Sequence, residues 1–180
     1  MIQRNYIPYC LLKQLKYHET TNIKTTFPIV VICDNFHSPE NVGMAFRVCE
    51  IMGVQQLYLT GDCPTPPNKK IRKTARTADK KVSFTSIATT TEAVELLKEE
   101  GYTLVGIEIT DESQNLHTFD FKAHQKIALI LGAERFGIAT EVLQQVDHCL
   151  HIPMFGAISS MNVVMAMSIS LYELTKQLTS

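Results

Sequence analysis

Along this chain, short continuous apolar runs alternate with stretches whose apolar residues recur every three or four positions. Phe27 to Cys33 is a continuous run of strand length, and Asp34 to Ser38 reads as the loop after it. Ser38-Pro39-Glu40 then offers a cap, a first-turn proline and an acidic first turn, which predicts a helix from Asn41 to Met52 ended by Gly53. Leu57 to Thr60 and Val82 to Thr85 read as strands, and Thr91 to Glu100 as an amphipathic helix stopped by Gly101. Thr103 to Ile109 and Lys126 to Leu131 are further strands, followed by a helix around Thr140 to Val146 and the end of a buried strand at Cys149 to Ile152. Strands alternating with helices predict an α/β fold, a parallel sheet covered by helices on both faces. Tyr6 to His18 allows a short helix with Ile7, Leu11, Leu12 and Leu15, followed by a polar linker. Residues 1–26 therefore read as an N-terminal appendage to a domain at 27–180.

The last apolar stretch runs uncharged from Ile152 to Tyr172. It is long enough to span a bilayer, but Pro153, Gly156, Ser159, Ser160 and Asn162 interrupt it, so it reads as protein interior. Pro153 to Ala157 is a turn-rich loop, and Ser159 or Ser160 can cap the helix that follows. In that helix Val164, Met167, Leu171, Leu174 and Leu178 form one stripe, while Met161, Met165 and Ile169 form a second. The first turns should then be buried on most sides. Asn162 would be a buried amide, which is either satisfied by a nearby backbone loop or belongs to a site.

Composition narrows the class. With 180 residues, 45% hydrophobic and 19% charged, the chain reads as one soluble domain with a full core. Five cysteines without C-x-x-C spacing argue against a disulfide framework and a zinc site. His148, Cys149 and His151 are close in sequence, but neighbouring strand positions face opposite ways, so no metal is expected. Met1 to Leu15 lacks the continuous apolar core of a secretory signal, which points to a cytoplasmic protein.

The net charge of -1 hides an uneven distribution. Lys69, Lys70, Arg72, Lys73, Arg76, Lys80 and Lys81 fall within thirteen positions, opposed only by Asp79. Such a run is either a solvated face or a phosphate-contacting patch. The Pro64-Thr65-Pro66-Pro67-Asn68 segment before it cannot be helix or central strand, so the basic segment is expected to be presented from a loop.

In parallel sheets ligands sit beyond the carboxyl ends of the strands, which directs attention to three loops. After the first strand comes N-V-G-M-A-F-R, in which Gly43 and Arg47 share a helical face and the glycine would leave room beside the guanidinium. After Leu131 comes G-A-E-R-F-G, whose Gly132 to Gly137 spacing suggests a phosphate loop. Ile138 and Ala139 stand where that loop needs lysine and serine or threonine, so triphosphate binding fails. The third loop is the one after Ile152.

The blocks E-N-V-G-M-A-F-R, L-I-L-G-A-E-R-F-G and I-P-M-F-G-A-I-S-S-M-N-V-V-M-A, in this order, resemble the three motifs of the SpoU family of RNA ribose 2'-O-methyltransferases, within the SPOUT class. The resemblance covers about Phe27 to Leu178. It implies a C-terminal deep trefoil knot, a homodimer, and S-adenosylmethionine held by the knot loops. Matched to the motifs, Leu131, Gly132, Ile152, Met154 and Met161 would surround the cofactor, with Glu108 as a further contact. Asn41, Arg47, Glu134, Ser160 and Asn162 match the polar residues the family places around the reacting ribose. Met44, Met161 and Val164 depart from the usual motif residues but stay apolar. The segments G-I-E-I-T-D and K-K-I-R-K-T-A look more like the branch acting on a guanosine of tRNA than like the ribosomal RNA branch. RNA phosphates would be met by Lys69, Lys70, Arg72, Lys73, Arg76 and Lys81, together with Arg4, Lys13 and Lys16. A catalytically inactive RNA-binding module and a small-molecule methyltransferase of the same fold are the alternatives.

Overall fold

The computed structural model describes residues 13–16 and 19–180. In strand β1 (Phe27–Asp34) alternate side chains enter two different cores. Ile29, Val31 and Cys33 join one cluster, while Val30 and Ile32 join the other. Burial on both faces explains why the strand reads as an unbroken apolar run rather than an alternating one. The same holds for β6 (Ile127–Leu131), which is buried throughout.

These strands sit mid-sheet. With β2 (Val54–Thr60), β3 (Ser83–Ile87), β4 (Thr103–Ile107), β5 (Gln114–Asn115) and β7 (His148–His151) they form one sheet in the order β3-β2-β1-β6-β4-β7-β5. All neighbouring strands run parallel. Helices α1 (Pro39–Ile51), α2 (Lys69–Ala75) and α5 (Val163–Thr179) contribute Phe46, Ile71, Met167 and Leu171 to the first cluster. Helices α3 (Thr90–Glu99) and α4 (Thr140–Leu143) contribute Ala93, Val94, Leu97 and Val142 to the second. The expected α/β sheet with helices on both faces is therefore the observed one. Each large apolar side chain buried this way stabilises the fold by about 1.5–3 kcal/mol.

Helix α1 starts as its sequence dictates. Ser38 Oγ accepts from Asn41 N, Pro39 opens the first turn, and Gly53 takes a positive φ of 66° just past the end. Other expectations need correction. The basic segment is not a loop: Lys69–Ala75 is helix α2, capped by Asn68, whose Oδ1 accepts from Lys70 N and Ile71 N. A cap directly after Pro-Pro overrides the loop signal of the prolines, and buried Ile71 and Ala75 hold the helix down. Gly43 does not make room for Arg47. A Cβ there would strike Thr74 Oγ1 and the Ile71 carbonyl, so the glycine permits close packing of α1 on α2.

The stretch after β7 is also corrected. It is not interior, since Phe155 to Ser160 are exposed, with Phe155 at 97%. Neither Ser159 nor Ser160 caps α5. Asn162 does, with Oδ1 accepting from Val164 N at 2.8 Å. Val164, Met167, Leu171 and Leu174 are buried as expected, but Met165, Ile169 and Tyr172 are exposed, so the helix carries a second apolar row that this chain leaves uncovered. Smaller differences are that β4 ends at Ile107, the helix near Thr140 is one turn, and β5 with its following 3₁₀ turns had no clear pattern. The expected helix at Tyr6 to His18 lies largely outside the described residues, and Lys13 to Lys16 are not helical. No helix among the described residues is long and apolar enough to cross a membrane.

Candidate active site

At the carboxyl ends of β4, β6 and β7 the chain forms a cleft of ≈ 860 Å³. That is the edge of the sheet at which a parallel α/β fold receives its ligand, and the volume suits a small organic molecule. Ile107, Leu131, Ile138 and Ile152 supply apolar wall, while Glu108, Glu134, Ser160 and Asn162 supply polar groups. All six residues expected around the cofactor, Glu108, Leu131, Gly132, Ile152, Met154 and Met161, line this one cleft.

One wall is a tight turn after β6. Ala133 and Gly137 pair across it in both directions, Ala133 N donating to Gly137 O at 3.0 Å and Gly137 N to Ala133 O at 2.9 Å. A Cβ on Gly132 would collide with the backbone of Gly137 and Ile138, so only glycine lets this turn close. The glycine therefore serves the turn itself, and a valine there would disrupt the wall rather than merely fill a ligand space. Glu108 pins the turn from the β4 side. Its Oε1 accepts from Ile109 N at 2.9 Å and its Oε2 from Ile138 N at 3.1 Å. Asp34, buried at the end of β1, accepts from Ala139 N at 3.3 Å and anchors the far side.

The polar end is a relay through three of the expected catalytic residues. Asn162 Nδ2 donates to Asn41 Oδ1 at 3.3 Å, and Asn41 Nδ2 donates to Glu134 Oε1 at 2.7 Å. The direction is fixed at one end. Val164 N can only donate, so Asn162 must present its carbonyl oxygen to the helix and its amide nitrogen to Asn41. Glu134 also accepts from His37 N at 3.1 Å and Ser38 N at 3.2 Å. Partial burial raises the Glu134 carboxyl, but the donors from His37, Asn41 and Ser38 outweigh it and hold it below the ordinary carboxylate range. An ionised, multiply bonded carboxylate is a weak base and a firm anchor. Asn162 is thus no buried amide: it is exposed, caps α5 and reaches Asn41.

Ser160 lies on the cleft wall two positions before Asn162 in sequence and is exposed. Arg47 is not brought into the cleft. It lies on the outer side of α1 between Met44 and Ile51, and it has no hydrogen bond or ion pair among the described residues. The basic residues lie on α2 and the 3₁₀ turn Ala78–Lys80, with Arg76 and Lys81 at the C-caps of these two elements, away from the cleft lining. Lys70 is paired with Glu40 at 3.3 Å and Lys81 with Glu50 at 3.1 Å, whereas Lys69, Arg72, Lys73 and Arg76 have no ion pair among the described residues. Arg4 lies outside the described residues. Residues of the cleft that sequence reasoning missed include Thr110, Phe136, Ile138 and His151. Their signal was position alone, beside strand ends. No group of three or more His, Cys, Asp or Glu side chains among the described residues could hold a metal ion.

Comparison with known proteins adds to this geometry. The model of the SpoU rRNA Methylase family matches residues 28–172. A tRNA (guanosine(18)-2'-O)-methyltransferase of Saccharomyces cerevisiae is 32% identical over 162 residues, covering 88% of this chain and 11% of its own length. A tRNA (guanosine(18)-2'-O)-methyltransferase of Thermus thermophilus is 28% identical over 152 residues, covering 83% of this chain and 75% of its own. This chain therefore spans about a tenth of the yeast relative and most of the bacterial one. Among solved structures, the SpoU methyltransferase AviRb from Streptomyces viridochromogenes in complex with the cofactor AdoMet matches with a TM-score of 0.75 at 25% identity, over 88% of this chain and 60% of that one.

Proposed function

We infer the function from one premise: this chain belongs to the SpoU rRNA Methylase family. It transfers a methyl group from S-adenosylmethionine to a ribose 2'-hydroxyl in RNA, with a guanosine of tRNA as the substrate. The observation that carries this reading is the Asn162–Asn41–Glu134 relay at the polar end of a cleft with apolar walls. The yeast and Thermus relatives, both named for tRNA guanosine 18, support tRNA over ribosomal RNA.

The cleft suits the cofactor. Ile107, Leu131 and Ile152 offer apolar wall for an adenine ring, and the backbone of the lining residues Gly132, Ile152, Met154 and Met161 is the source of donors and acceptors for it. S-adenosylmethionine supplies an electrophilic methyl carbon on a sulfonium. The chain's own task is to orient the ribose hydroxyl and help it lose its proton. Asn162 and Ser160 offer hydrogen-bonding groups to the ribose, and Glu134 fixes Asn41 and hence Asn162. Arg47 holds target phosphate and stabilises the developing oxyanion, because a guanidinium with pKa above about 12 is a poor proton acceptor near neutrality.

The chain works as a homodimer, with the C-terminal part as a deep trefoil knot and residues 1–26 as an appendage to 27–180. Supporting the knot, β7 lies between β4 and β5, both made earlier in the chain, and α5 then returns to pack against α1. Supporting the dimer, Met165, Ile169 and Tyr172 of α5 and Met44 and Ile51 of the adjoining α1 leave apolar surface uncovered. Arg47 lies within that surface, so a second copy is what carries it to a reacting centre. Lys69, Arg72 and Lys73 of α2 and Arg76 at its C-cap, which have no ion pair among the described residues, grip RNA phosphates. Nucleoside mass spectrometry of bulk tRNA and rRNA from strains with and without the gene tests the substrate: loss of 2'-O-methylguanosine from tRNA is expected, and loss confined to rRNA would move the substrate to the ribosome.

A further inference from the structure

His151 ends β7 on the cleft wall, and its tautomer can be deduced from its neighbours. Its Nδ1 lies 3.1 Å from the Ser113 carbonyl oxygen and 3.1 Å from Ser113 Oγ. A carbonyl can only accept, so that contact requires the proton on Nδ1. The hydroxyl gives the same answer. Ser113 Oγ donates its single hydrogen to Thr110 O at 2.8 Å and accepts from Thr110 N at 3.1 Å, so toward His151 it has only a lone pair to offer. These contacts select, for the neutral imidazole, the tautomer with Nδ1–H toward the 110–113 turn and a lone pair on Nε2. Among the described residues Nε2 has no hydrogen-bond partner.

We propose that His151 is a further cofactor-binding residue, whose Nε2 accepts a hydrogen bond from the adenosine half of S-adenosylmethionine. The inference rests on the cofactor reading given above. The next residue in the chain, Ile152, belongs to the apolar wall offered to the adenine ring, and both the adenine amine and the ribose hydroxyls are neutral donors that a lone pair suits. The amino-acid end of the cofactor carries an ammonium, for which the carboxylate of Glu108 on the same cleft is a better partner than a ring nitrogen. Ser113 acts through His151 and is a positioning residue.

The test is calorimetric binding of S-adenosylhomocysteine and of 5'-methylthioadenosine, which lacks the amino-acid end, to wild type, His151→Leu and His151→Gln. Loss of one hydrogen bond in a half-buried site is expected to weaken both compounds roughly tenfold in the leucine variant. Glutamine, whose amide oxygen reaches about as far as Nε2, is expected to restore most of the affinity for both. Should the leucine variant fold poorly, the ring nitrogens of wild-type His151 are read by long-range nitrogen NMR, and the proton is expected on Nδ1 with the Nε2 signal shifting when 5'-methylthioadenosine is added. Wild-type affinity in His151→Leu, or weakening of S-adenosylhomocysteine alone, overturns the inference while leaving the cofactor site intact. A wild-type protein that binds neither compound overturns the underlying cofactor reading instead.

Discussion

Asn41 Nδ2 donates to Glu134 Oε1 at 2.7 Å, joining residues 93 positions apart and tying the first turn of α1 to the turn that follows β6. Through Asn162 the same network reaches the cap of α5. Three loops from three parts of the chain are thereby held in one geometry, and the carboxylate at its centre is the part most sensitive to change.

Glu134→Gln keeps the shape but replaces one acceptor oxygen with a donor, which must then face one of the N–H groups of His37, Ser38 or Asn41. Methyl transfer is expected to fall by about 10- to 100-fold, the effect of losing one or two charge-assisted hydrogen bonds, with S-adenosylmethionine affinity changed less. Single-turnover rates and calorimetry separate the two. The pH dependence follows in sign. The folded-state carboxyl is held low, so its contribution is fully present above the unfolded value of about 4.3 and is lost only as pH falls through the lower folded value. Any fall in activity between about pH 6 and 8 must therefore come from another group, and Glu134→Gln is expected to leave that limb in place.

Gly43→Ala is expected to destabilise the protein by about 1–3 kcal/mol, because the added methyl meets Thr74 Oγ1 and the Ile71 carbonyl where α1 crosses α2. Adding Thr74→Ala should recover only part of the loss, since the backbone oxygen stays. Urea unfolding of the single and double variants measures this, and complete rescue would mean that the hydroxyl alone sets the spacing.

Replacing Lys69 and Lys73 with alanine should weaken tRNA binding and lower the salt slope by up to about 0.7–0.9 for each phosphate no longer neutralised. Replacing Lys70 and Lys81, which are engaged with Glu40 and Glu50, should do less. Affinities measured across a salt series compare the pairs, with equal effects contradicting the distinction.

Met165→Glu with Ile169→Glu puts two charges on the uncovered row of α5 without touching the buried row. Sedimentation should find a dimer in the wild type and a folded monomer in the variant. An unchanged assembly would place the interface elsewhere.

How much of this could be read from residues alone depended on which neighbours mattered. The strands through Val31 and Leu129 were legible because a run buried on both faces has no polar positions, and the start of α1 was legible because Ser38, Pro39 and Glu40 act locally. Helix α2 was not, because its two buried residues, Ile71 and Ala75, make too thin a stripe against five charged or polar positions. Periodicity identified both apolar rows of α5 but could not say that only one meets the core. At the site, the residues the resemblance named for the cofactor lie together along one cleft while Arg47 lies outside it, and the reason for Gly43 lay in Thr74 and Ile71, as the tautomer of His151 lay in Ser113. Such pairings depend on tertiary contacts that no local pattern encodes.

The most direct test of the central claim uses purified protein, S-adenosylmethionine carrying a labelled methyl group, and tRNA, followed by digestion to nucleosides and identification of the labelled product. Label is expected on the ribose of a guanosine as 2'-O-methylguanosine, with Arg47→Lys transferring about 10²-fold more slowly while still binding the cofactor. Label on a base, or no transfer to RNA by a protein that binds both the cofactor and tRNA, would contradict it.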